Sequence, residues 1–210
     1  PPGVAVGGTL MTAGPLATYL GETWWDGRAA SPPDGQGGFG ISRYFVRPAF
    51  QNGFTASGMR SVPDVAFNAD PYQGAVICQA SAGGCPAPLL FGGTSGAAPA
   101  WAAGMALVNQ ALGANVGNLN PAIYPLAASD AFHTAASMGS DFAHVGLGSP
   151  RFNALYLALA ASTPGPASAS VSHVGRLARE VSADGVAAEE IVVRLRDGNG
   201  NSIPGKTIAL

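Results

Sequence analysis

The residues most able to do chemistry lie in one short stretch, where a hydroxyl follows two glycines and precedes an apolar segment. The stretch reads Gly-Gly-Thr-Ser-Gly-Ala-Ala-Pro-Ala-Trp from Gly92 to Trp101. The apolar residues 102–108 and the residues 109–112 after them are together long enough to favour a buried helix over a buried strand. Ser95 is thus predicted at a helix N-terminus, where glycines let a second chain segment come close.

A serine at a helix N-terminus has surroundings that suit acyl transfer. Helix N-termini carry free backbone N–H groups and partial positive charge. Such groups can stabilise the oxyanion that forms when a serine attacks a carbonyl carbon. The sequence therefore offers Ser95 as a catalytic nucleophile. Because Thr and Ser are also common capping residues, an ordinary Gly-Thr-Ser helix cap at residues 93–95 is the alternative interpretation.

The composition limits the class of protein. Of 210 residues, 30 are glycine and 17 are proline, which predicts many loops. Charged residues make up only 10%, against roughly 25% in most soluble domains, and small apolar residues replace them, as in a tightly packed α/β core. The net charge of −2 without a basic cluster argues against nucleic acid as a partner. No apolar run reaches the roughly 20 residues of a membrane-spanning helix.

Both ends of the sequence look like cuts within a longer chain. It begins Pro1-Pro2-Gly3, without an initiator methionine, and its last residues, 208–210, fall within a predicted strand. We therefore expect a fragment with room for one full domain and part of another.

The two cysteines, Cys78 and Cys85, lie between segments 75–77 and 89–91, which have the pattern of a β-hairpin. A disulfide closing that hairpin would indicate an oxidising compartment. Two unpaired thiols are the alternative. A zinc site is disfavoured because two cysteines are too few ligands and no histidine is near.

Other acidic residues also invite interpretation. Glu22 and Asp26 are four residues apart and would share one face of a helix, as a general acid–base pair could. They lie beside Trp24 and Trp25 in a loop-like segment, so a structural role is the preferred interpretation. Asp64 is predicted to be a buried carboxylate that backbone N–H groups satisfy.

The composition changes after the last predicted helix. Residues 162–170 are rich in Ser, Thr, Pro, Gly and Ala, as in a linker. In residues 191–195 alternating apolar side chains share one face of a predicted strand, and residues 197–201 carry a turn signal. An immunoglobulin-type sandwich needs about 100 residues. Residues 171–210 are therefore predicted to be the front of such a module.

Several spaced motifs resemble the sedolisins, the serine-carboxyl peptidases of the subtilisin-like clan. Residues 92–99 match the nucleophile motif Gly-Thr-Ser-x-x-x-Pro, which subtilisins share. Further motifs follow the sedolisin order and extend the resemblance over residues 3–160. They are Val-Gly-Gly-Thr at 6–9, Gly-Gly-Phe-Gly-Ile-Ser at 37–42, Arg-Pro-Ala-Phe-Gln at 47–51, Val-Pro-Asp-Val at 62–65 and Gly-Leu-Gly-Ser-Pro at 146–150.

The resemblance implies a subtilisin-like α/β domain with a parallel sheet, of which residues 1–161 would be the C-terminal half. It implies a secreted endopeptidase or tripeptidyl-peptidase that acts at acidic pH. In the family, a Glu oriented by an Asp activates the serine, and a second Asp helps to hold the oxyanion. Only Ser95 of this set maps onto the sequence, because those acids precede the Val-Gly-Gly-Thr strand. The 210 residues alone are therefore expected to be inactive.

The histidines do not supply a subtilisin-type base. His133, His144 and His173 all follow Ser95, whereas the subtilisin histidine precedes its serine. A carboxylate is a weak base, so a serine-carboxyl enzyme works in acid, where a protonated Asp can donate a hydrogen bond to an oxyanion.

The resemblance also implies a calcium site, which this sequence keeps only in part. Thr134 stands where the family's first Asp ligand is expected, and Gly139 and Asp141 remain of a Gly-x-Gly-x-Asp loop. Calcium favours six to eight oxygen ligands, including carboxylates. Asp141 is therefore the remaining candidate ligand of a weakened or lost calcium site.

The tail is similar to bacterial immunoglobulin-like repeats of the invasin type, notably at 182–185 and 196–205. The predicted organisation is a peptidase part at 1–161, a linker at 162–170 and a partial immunoglobulin-like domain at 171–210. This predicts an extracellular or cell-surface protein that cleaves peptides or proteins and contacts a cell surface through its repeats. The alternative is a surface adhesion or binding protein whose peptidase domain has decayed.

Overall fold

The computed structural model describes residues 3–31, 33–86, 88–162, 167–176, 191–196 and 203. The chain divides into two compact units, Pro1–Ala160 and Ala161–Leu210. The strands are β1 (Val6–Ala13), β2 (Tyr19–Trp24), β3 (Gly40–Val46), β4 (Met59–Val62), β5 (Val65–Asn68), β6 (Ala75–Ile77), β7 (Leu89–Phe91), β8 (Phe132–His133), β9 (Ser149–Pro150), β10 (His173–Arg176) and β11 (Ile191–Arg194). The α-helices are α1 (Thr94–Leu112), α2 (Asn120–Ile123), α3 (Phe142–Val145) and α4 (Phe152–Ser162).

A three-stranded mixed sheet with the order β2-β1-β5 lies at the centre of the first unit. β1 runs parallel to β5, with Val6 opposite Val65, and antiparallel to β2, with Thr9 opposite Trp24. Val65 is fully buried, as in strands covered on both faces. The predicted α/β class is confirmed, and the parallel arrangement holds for the β1–β5 pair, whereas β2 joins the sheet in the opposite direction.

Helix α1 packs one face into the main hydrophobic core. Ala97, Trp101, Met105 and Val108 are buried and recur every three or four residues, which is the spacing of one helix face. Leu107 on another face is 67% exposed. The predicted helix is therefore confirmed, but its burial is one-sided. The buried core residues are Val65, Trp101, Met105, Val108, Leu119, Ile123, Tyr124, Ala131, Phe132, Leu147, Leu155 and Leu159.

A disulfide closes the hairpin that precedes α1. β6 and β7 pair antiparallel, with Val76 opposite Leu90. Beyond the pairing, Cys78 and Cys85 form a disulfide across a Cα–Cα distance of 4.6 Å. The predicted hairpin and its disulfide are both confirmed, and two free thiols are excluded.

A buried polar cluster holds the junction of β4 and β5. Asp64 is fully buried there, and its strongest partner is the guanidinium of the equally buried Arg60, at 2.5 Å. Asp64 is buried as predicted. The prediction that backbone N–H groups satisfy it is wrong, because side chains supply most of its hydrogen-bond donors. The other donors to Asp64 are Tyr124 Oη at 2.8 Å, Ala5 N at 2.8 Å, Gln51 Nε2 at 3.3 Å and Asn120 Nδ2 at 3.4 Å.

The second unit contains the antiparallel pair β10–β11, with His173 opposite Arg194. Hydrogen bonds from Ser168 N and Ser172 Oγ to Arg196 O extend the contact between the two segments. The predicted turn at 197–201 and the invasin-like segment 182–185 lie outside the described residues. The immunoglobulin-like module therefore stays a prediction. Among the described helices, none has the length and apolarity that a membrane crossing requires.

Candidate active site

Ser95 is the second residue of α1 and is exposed to solvent. It lies directly after the disulfide-closed hairpin, whose strand β7 ends at Phe91. Burial of this hydroxyl among aliphatic side chains would exclude it as a nucleophile. Its exposure leaves it accessible to a substrate carbonyl.

Backbone geometry requires glycine at the two positions before α1. Gly93 has a φ of +78°, a conformation that side chains with a Cβ rarely adopt. A Cβ on Gly92 would lie 2.5 Å from the backbone nitrogen of Pro71. The Gly93 N–H also donates to the carbonyl of Ala69 at 2.5 Å. The predicted close approach of a second chain segment is therefore confirmed, and that segment follows β5.

Helix α1 begins without a side-chain cap. The carbonyl of Gly93 accepts hydrogen bonds from Gly96 N at 2.9 Å and Ala97 N at 3.2 Å, so Thr94 and Ser95 lie inside the first turn. Their N–H groups have no carbonyl one turn earlier in the helix to bond. Of the alternative Gly-Thr-Ser cap, the structure confirms only Gly93 as the cap residue, and neither the Thr94 nor the Ser95 hydroxyl caps the helix.

Within the described ranges, no side chain accepts a proton from the Ser95 hydroxyl. The acid in the segment that contacts the two glycines is Asp70, which is buried. Its Oδ1 accepts the backbone N–H of Tyr72 at 2.9 Å, as an N-cap. A serine without a base is a weak nucleophile. The described residues therefore contain an exposed hydroxyl beside N–H groups that have no partner within the helix, but no base that hydrogen-bonds this hydroxyl.

The three histidines lie in other surroundings. The ring of His133 stacks on that of Tyr19, with centroids 3.9 Å apart, and burial lowers the pKa of His133 below 6.5. His144 belongs to α3 and His173 to β10. No histidine in the described part of the chain forms a hydrogen bond with Ser95.

Glu22 and Asp26 do not form a catalytic pair. Glu22 is buried in β2, where its carboxylate accepts hydrogen bonds from Thr9 Oγ1 at 2.8 Å and from Ser149 Oγ. Asp26 is exposed, and its hydrogen bond with Arg28 at 2.6 Å lowers the pKa of its carboxyl group below 3.8. Glu22 and Asp26 do not share a helix face, because residues up to Trp24 form the strand β2. The buried hydrogen bonds of Glu22 agree with the structural role that the sequence favoured for it.

Asp141, the candidate calcium ligand, caps the short helix α3. Its Oδ1 accepts the backbone N–H of His144 at 3.0 Å and lies 2.7 Å from His144 Nδ1. This hydrogen bond with the imidazole lowers the pKa of the Asp141 carboxyl group. The His144 ring packs against Trp24 and Phe39, with centroids 4.5 and 4.0 Å away.

The residues around Asp141 do not fit a calcium ion. Thr134 offers a hydroxyl instead of a carboxylate, and its carbonyl accepts Ser137 Oγ at 2.8 Å. The carbonyl of Ala135 accepts Ser140 N at 2.9 Å. The described residues contain no cluster of three or more His, Cys, Asp or Glu. One engaged carboxylate falls short of the ligands that calcium prefers. The predicted calcium site gains no support from this arrangement.

A cavity of about 400 Å³ beside α1 contains residues that sequence reasoning did not connect. It is lined by Gly96 and Ala100 of α1, by the buried Glu22 and by Ser149. These residues come from separate segments, and no motif spans them. Only the folded arrangement brings them together.

The chain is similar in sequence to a known peptidase. Kumamolisin of Bacillus sp. (strain MN-32) is 37% identical over 151 residues, which are 67% of this chain and 25% of that protein. No protein-family model matches the sequence.

A solved structure shares the fold. Pseudomonas sedolisin, a serine-carboxyl proteinase complexed with two molecules of pseudo-iodotyrostatin, superposes with a TM-score of 0.63 and 24% identity. The match covers 75% of this chain and 46% of the sedolisin chain. The chain therefore spans a quarter of the length of kumamolisin and just under half of the sedolisin structure.

Proposed function

Because the matched region is homologous to sedolisin-family peptidases, we propose that the protein is a serine-type peptidase with Ser95 as its nucleophile. The observation that carries this proposal is the exposed position of Ser95 in the first turn of α1. Backbone N–H groups that have no partner within the helix lie next to its hydroxyl. Peptides or proteins are the corresponding substrates.

The proposed reaction is acyl transfer. Ser95 Oγ attacks the carbonyl carbon of the peptide bond while a base takes the hydroxyl proton. The carbonyl oxygen becomes negative, and the N–H groups and the positive end of α1 stabilise it. The amine then leaves with a proton, and water hydrolyses the ester on Ser95 to release the acid.

We place the base outside these 210 residues. The chain spans 46% of the sedolisin structure, and its described residues bring no acid or imidazole to the Ser95 hydroxyl. A glutamate oriented by an aspartate, as the family resemblance implies, would act in acid, because a general base works best near its own pKa. The 210 residues alone are then inactive.

We also propose a secreted or cell-surface location. The Cys78–Cys85 disulfide is typical of oxidising compartments. The antiparallel pair β10–β11 is compatible with the front of an immunoglobulin-like module at 171–210, through which the protein would contact a surface.

A second function, binding by a peptidase-like domain that has lost activity, has one observation in its favour. The loop around Asp141 offers a threonine, Thr134, where the family has an acid, and the Asp141 carboxylate is engaged within its own helix turn. This candidate predicts a folded protein without hydrolytic activity at any pH.

Substitution of Ser95 in the full-length protein that carries this sequence tests the proposal. Ser95→Ala should lower kcat for a peptide library at acidic pH by about 10⁴-fold or more, as loss of a serine nucleophile does elsewhere. Ser81→Ala changes an exposed serine in the hairpin turn and should leave activity unchanged. Full activity in Ser95→Ala would remove Ser95 from the mechanism. A folded wild-type protein without activity would favour the binding function.

A further inference from the structure

The cavity beside α1 lies near the ends of the two parallel strands. Met11, beyond the parallel part of β1, and Phe67 near the end of β5 both line it. Ligand sites in α/β proteins form preferentially at the carboxyl ends of parallel strands. Gly96 and Ala100 line it from α1, so the cavity wall begins one residue after Ser95.

Most of the cavity wall is apolar. Its volume of about 400 Å³ is within the range of small-molecule pockets and can take one long side chain. Gly96 and Ala100 keep the helix side of the cavity open because they carry little or no side chain. The larger apolar residues of the wall are Met11, Phe67, Phe91, Pro150 and Phe152.

A buried carboxylate supplies the main polar feature. Glu22 is 8% exposed and lies directly opposite Met11 in the antiparallel β1–β2 pair, so both side chains are on the same face of the sheet. Its Oε1 accepts Thr9 Oγ1 at 2.8 Å, and its Oε2 accepts Ser149 Oγ and, at 3.5 Å, Tyr19 Oη. These three hydroxyls fix the orientation of the carboxylate.

Among the described residues, no cation lies within ion-pair distance of this carboxylate. The four ion pairs in the described ranges involve Asp26, Asp64, Asp130 and Asp141, and none involves Glu22. A buried charge without a counter-ion costs several kcal/mol.

The titratable neighbours in the wall are Tyr19 and His133; burial raises the pKa of Tyr19 and lowers that of His133. The charged neighbour is Arg151, whose Nε donates to His133 Nδ1 at 3.3 Å. The guanidinium of Arg151 is 47% exposed and lies 3.9 Å from Asp130, so solvent and this acid screen its repulsion of a bound cation.

We propose that this cavity binds a basic side chain, lysine or arginine, of the peptide substrate, with Glu22 accepting the cation. The aliphatic stem of such a side chain packs on the apolar wall while its charged end reaches the carboxylate. Peptides with a basic residue near the cleaved bond are then the preferred substrates. The role in cleavage rests on Ser95 as nucleophile, but binding of the side chain does not.

Binding of amino-acid amides to the 210-residue chain with Ser95→Ala tests the proposal without catalysis. Nα-acetyl-lysine amide, Nα-acetyl-arginine amide and Nα-acetyl-norleucine amide are titrated at pH 7 and followed by NMR shifts of residues that line the cavity. The two basic amides should bind about tenfold more tightly than the norleucine amide, which corresponds to one favourable charge contact. Glu22→Gln keeps the shape of the side chain and should remove this difference.

A second variant keeps the test decisive if Glu22→Gln fails to fold. Ala100→Met fills the cavity from the helix side and should weaken lysine amide binding about tenfold. Ala102→Met places the same side chain at an exposed position of α1 and should have no effect. Equal affinity for the norleucine amide, unchanged lysine amide binding in both cavity variants, or no binding of any amide would overturn the proposal.

The outcomes separate the pocket from the peptidase function. Tight lysine amide binding by a full-length protein that hydrolyses no peptide would contradict the peptidase function and leave the pocket intact. Hydrolysis with the same kcat/KM for lysine and norleucine peptides would contradict the pocket and leave Ser95 as nucleophile.

Discussion

Ser95 and Asp64 are two polar groups of the same unit with opposite surroundings. Asp64 is fully buried, and four side chains and one backbone N–H donate to its carboxylate. Ser95 is exposed at the start of α1, beside N–H groups without a partner in the helix. Both residues fall in motifs of the same family resemblance, so motif membership alone does not distinguish their roles.

The difference shows how burial and partners separate a structural group from a reactive one. A polar group with all its hydrogen-bond capacity taken inside the core stabilises one arrangement and has none left for a substrate. An exposed hydroxyl next to N–H groups without a partner contributes little to stability and is accessible to a substrate. Glu22 lies between these cases, since it is buried and hydrogen-bonded but lines a cavity.

The largest expected effect is the loss of stability when Asp64 is removed. Asp64→Ala leaves the Arg60 guanidinium, 3% exposed, without its counter-ion. Breaking a buried ion pair in this way costs about 3–5 kcal/mol. The free energy of unfolding, measured by urea denaturation, should fall by that amount, whereas Ser95→Ala should leave it within about 0.5 kcal/mol of wild type.

Asp130→Ala is the matched control for that comparison. Asp130 is 96% exposed and lies 3.9 Å from Arg151. Its removal should not change the denaturation midpoint, because exposed ion pairs contribute little. A similar loss of stability in Asp130→Ala and Asp64→Ala, or in Ser95→Ala and Asp64→Ala, would break the contrast between the two regions.

A smaller loss is expected when one donor is removed from the same cluster. The Tyr124 hydroxyl donates to Asp64 Oδ1 at 2.8 Å and accepts from Gln51 Nε2 at 2.8 Å. Tyr124→Phe leaves both groups without this partner inside the core. The expected cost is about 1–3 kcal/mol in the free energy of unfolding. No loss at pH 7 would show that the cluster tolerates an open position.

The ionisation of Tyr124 should make the stability of the protein depend on pH. Burial, followed by the nearby charge of Asp64, raises the pKa of Tyr124 above its ordinary value of 10.0. The unfolded chain then loses this proton near pH 10 while the folded chain keeps it. The contribution of Tyr124 to the free energy of unfolding is therefore fully present below pH 10. It decreases above pH 10, by up to about 1.4 kcal/mol per pH unit.

Tyr124→Phe has no phenol group at this position, so its stability should not decrease for this reason above pH 10. The difference in unfolding free energy between wild type and Tyr124→Phe should therefore shrink by about 1 kcal/mol between pH 9 and pH 11. Urea denaturation of both proteins across this range measures it. A constant difference would contradict a raised pKa for Tyr124.

The smallest expected effect concerns Asp141. Since its carboxylate is engaged with His144 and the described residues form no group of three or more His, Cys, Asp or Glu that could hold a metal ion, calcium should not bind there. A melting temperature measured with a chelator and with millimolar calcium should be the same. Binding at 100 times the Kd would add about 2.7 kcal/mol of stability, which is easily seen as a higher melting temperature.

Local sequence was sufficient for the elements near Ser95. The Gly-Gly pair before a long apolar segment predicted the helix, and the two cysteines predicted the hairpin disulfide, because each depends on neighbouring residues. Of the alternative Gly-Thr-Ser cap, only Gly93 is at the cap position, and the two hydroxyl side chains do not cap the helix. Gly93, with its positive φ, is the residue before the helix, so Thr94 and Ser95 already lie in the first turn.

The polar partners could not be predicted, because they depend on distant parts of the chain. Asp64 meets Tyr124 and Asn120, which are 60 and 56 residues away. Glu22 meets Ser149, which is 127 residues away. The strand at Glu22 was hidden by its glycine-rich and tryptophan-rich surroundings, which resemble a loop. Pairing with β1 determines its conformation.

Covalent labelling of the full-length protein tests the central claim most directly. A peptide-like fluorophosphonate, which reacts with activated serines, is added at the acidic pH where the protein hydrolyses peptides, and tandem mass spectrometry locates the adduct. The account predicts one adduct, on Ser95, formed as activity is lost and absent from Ser95→Ala. Loss of activity with an adduct on another residue, or full labelling of Ser95 with activity retained, would contradict it.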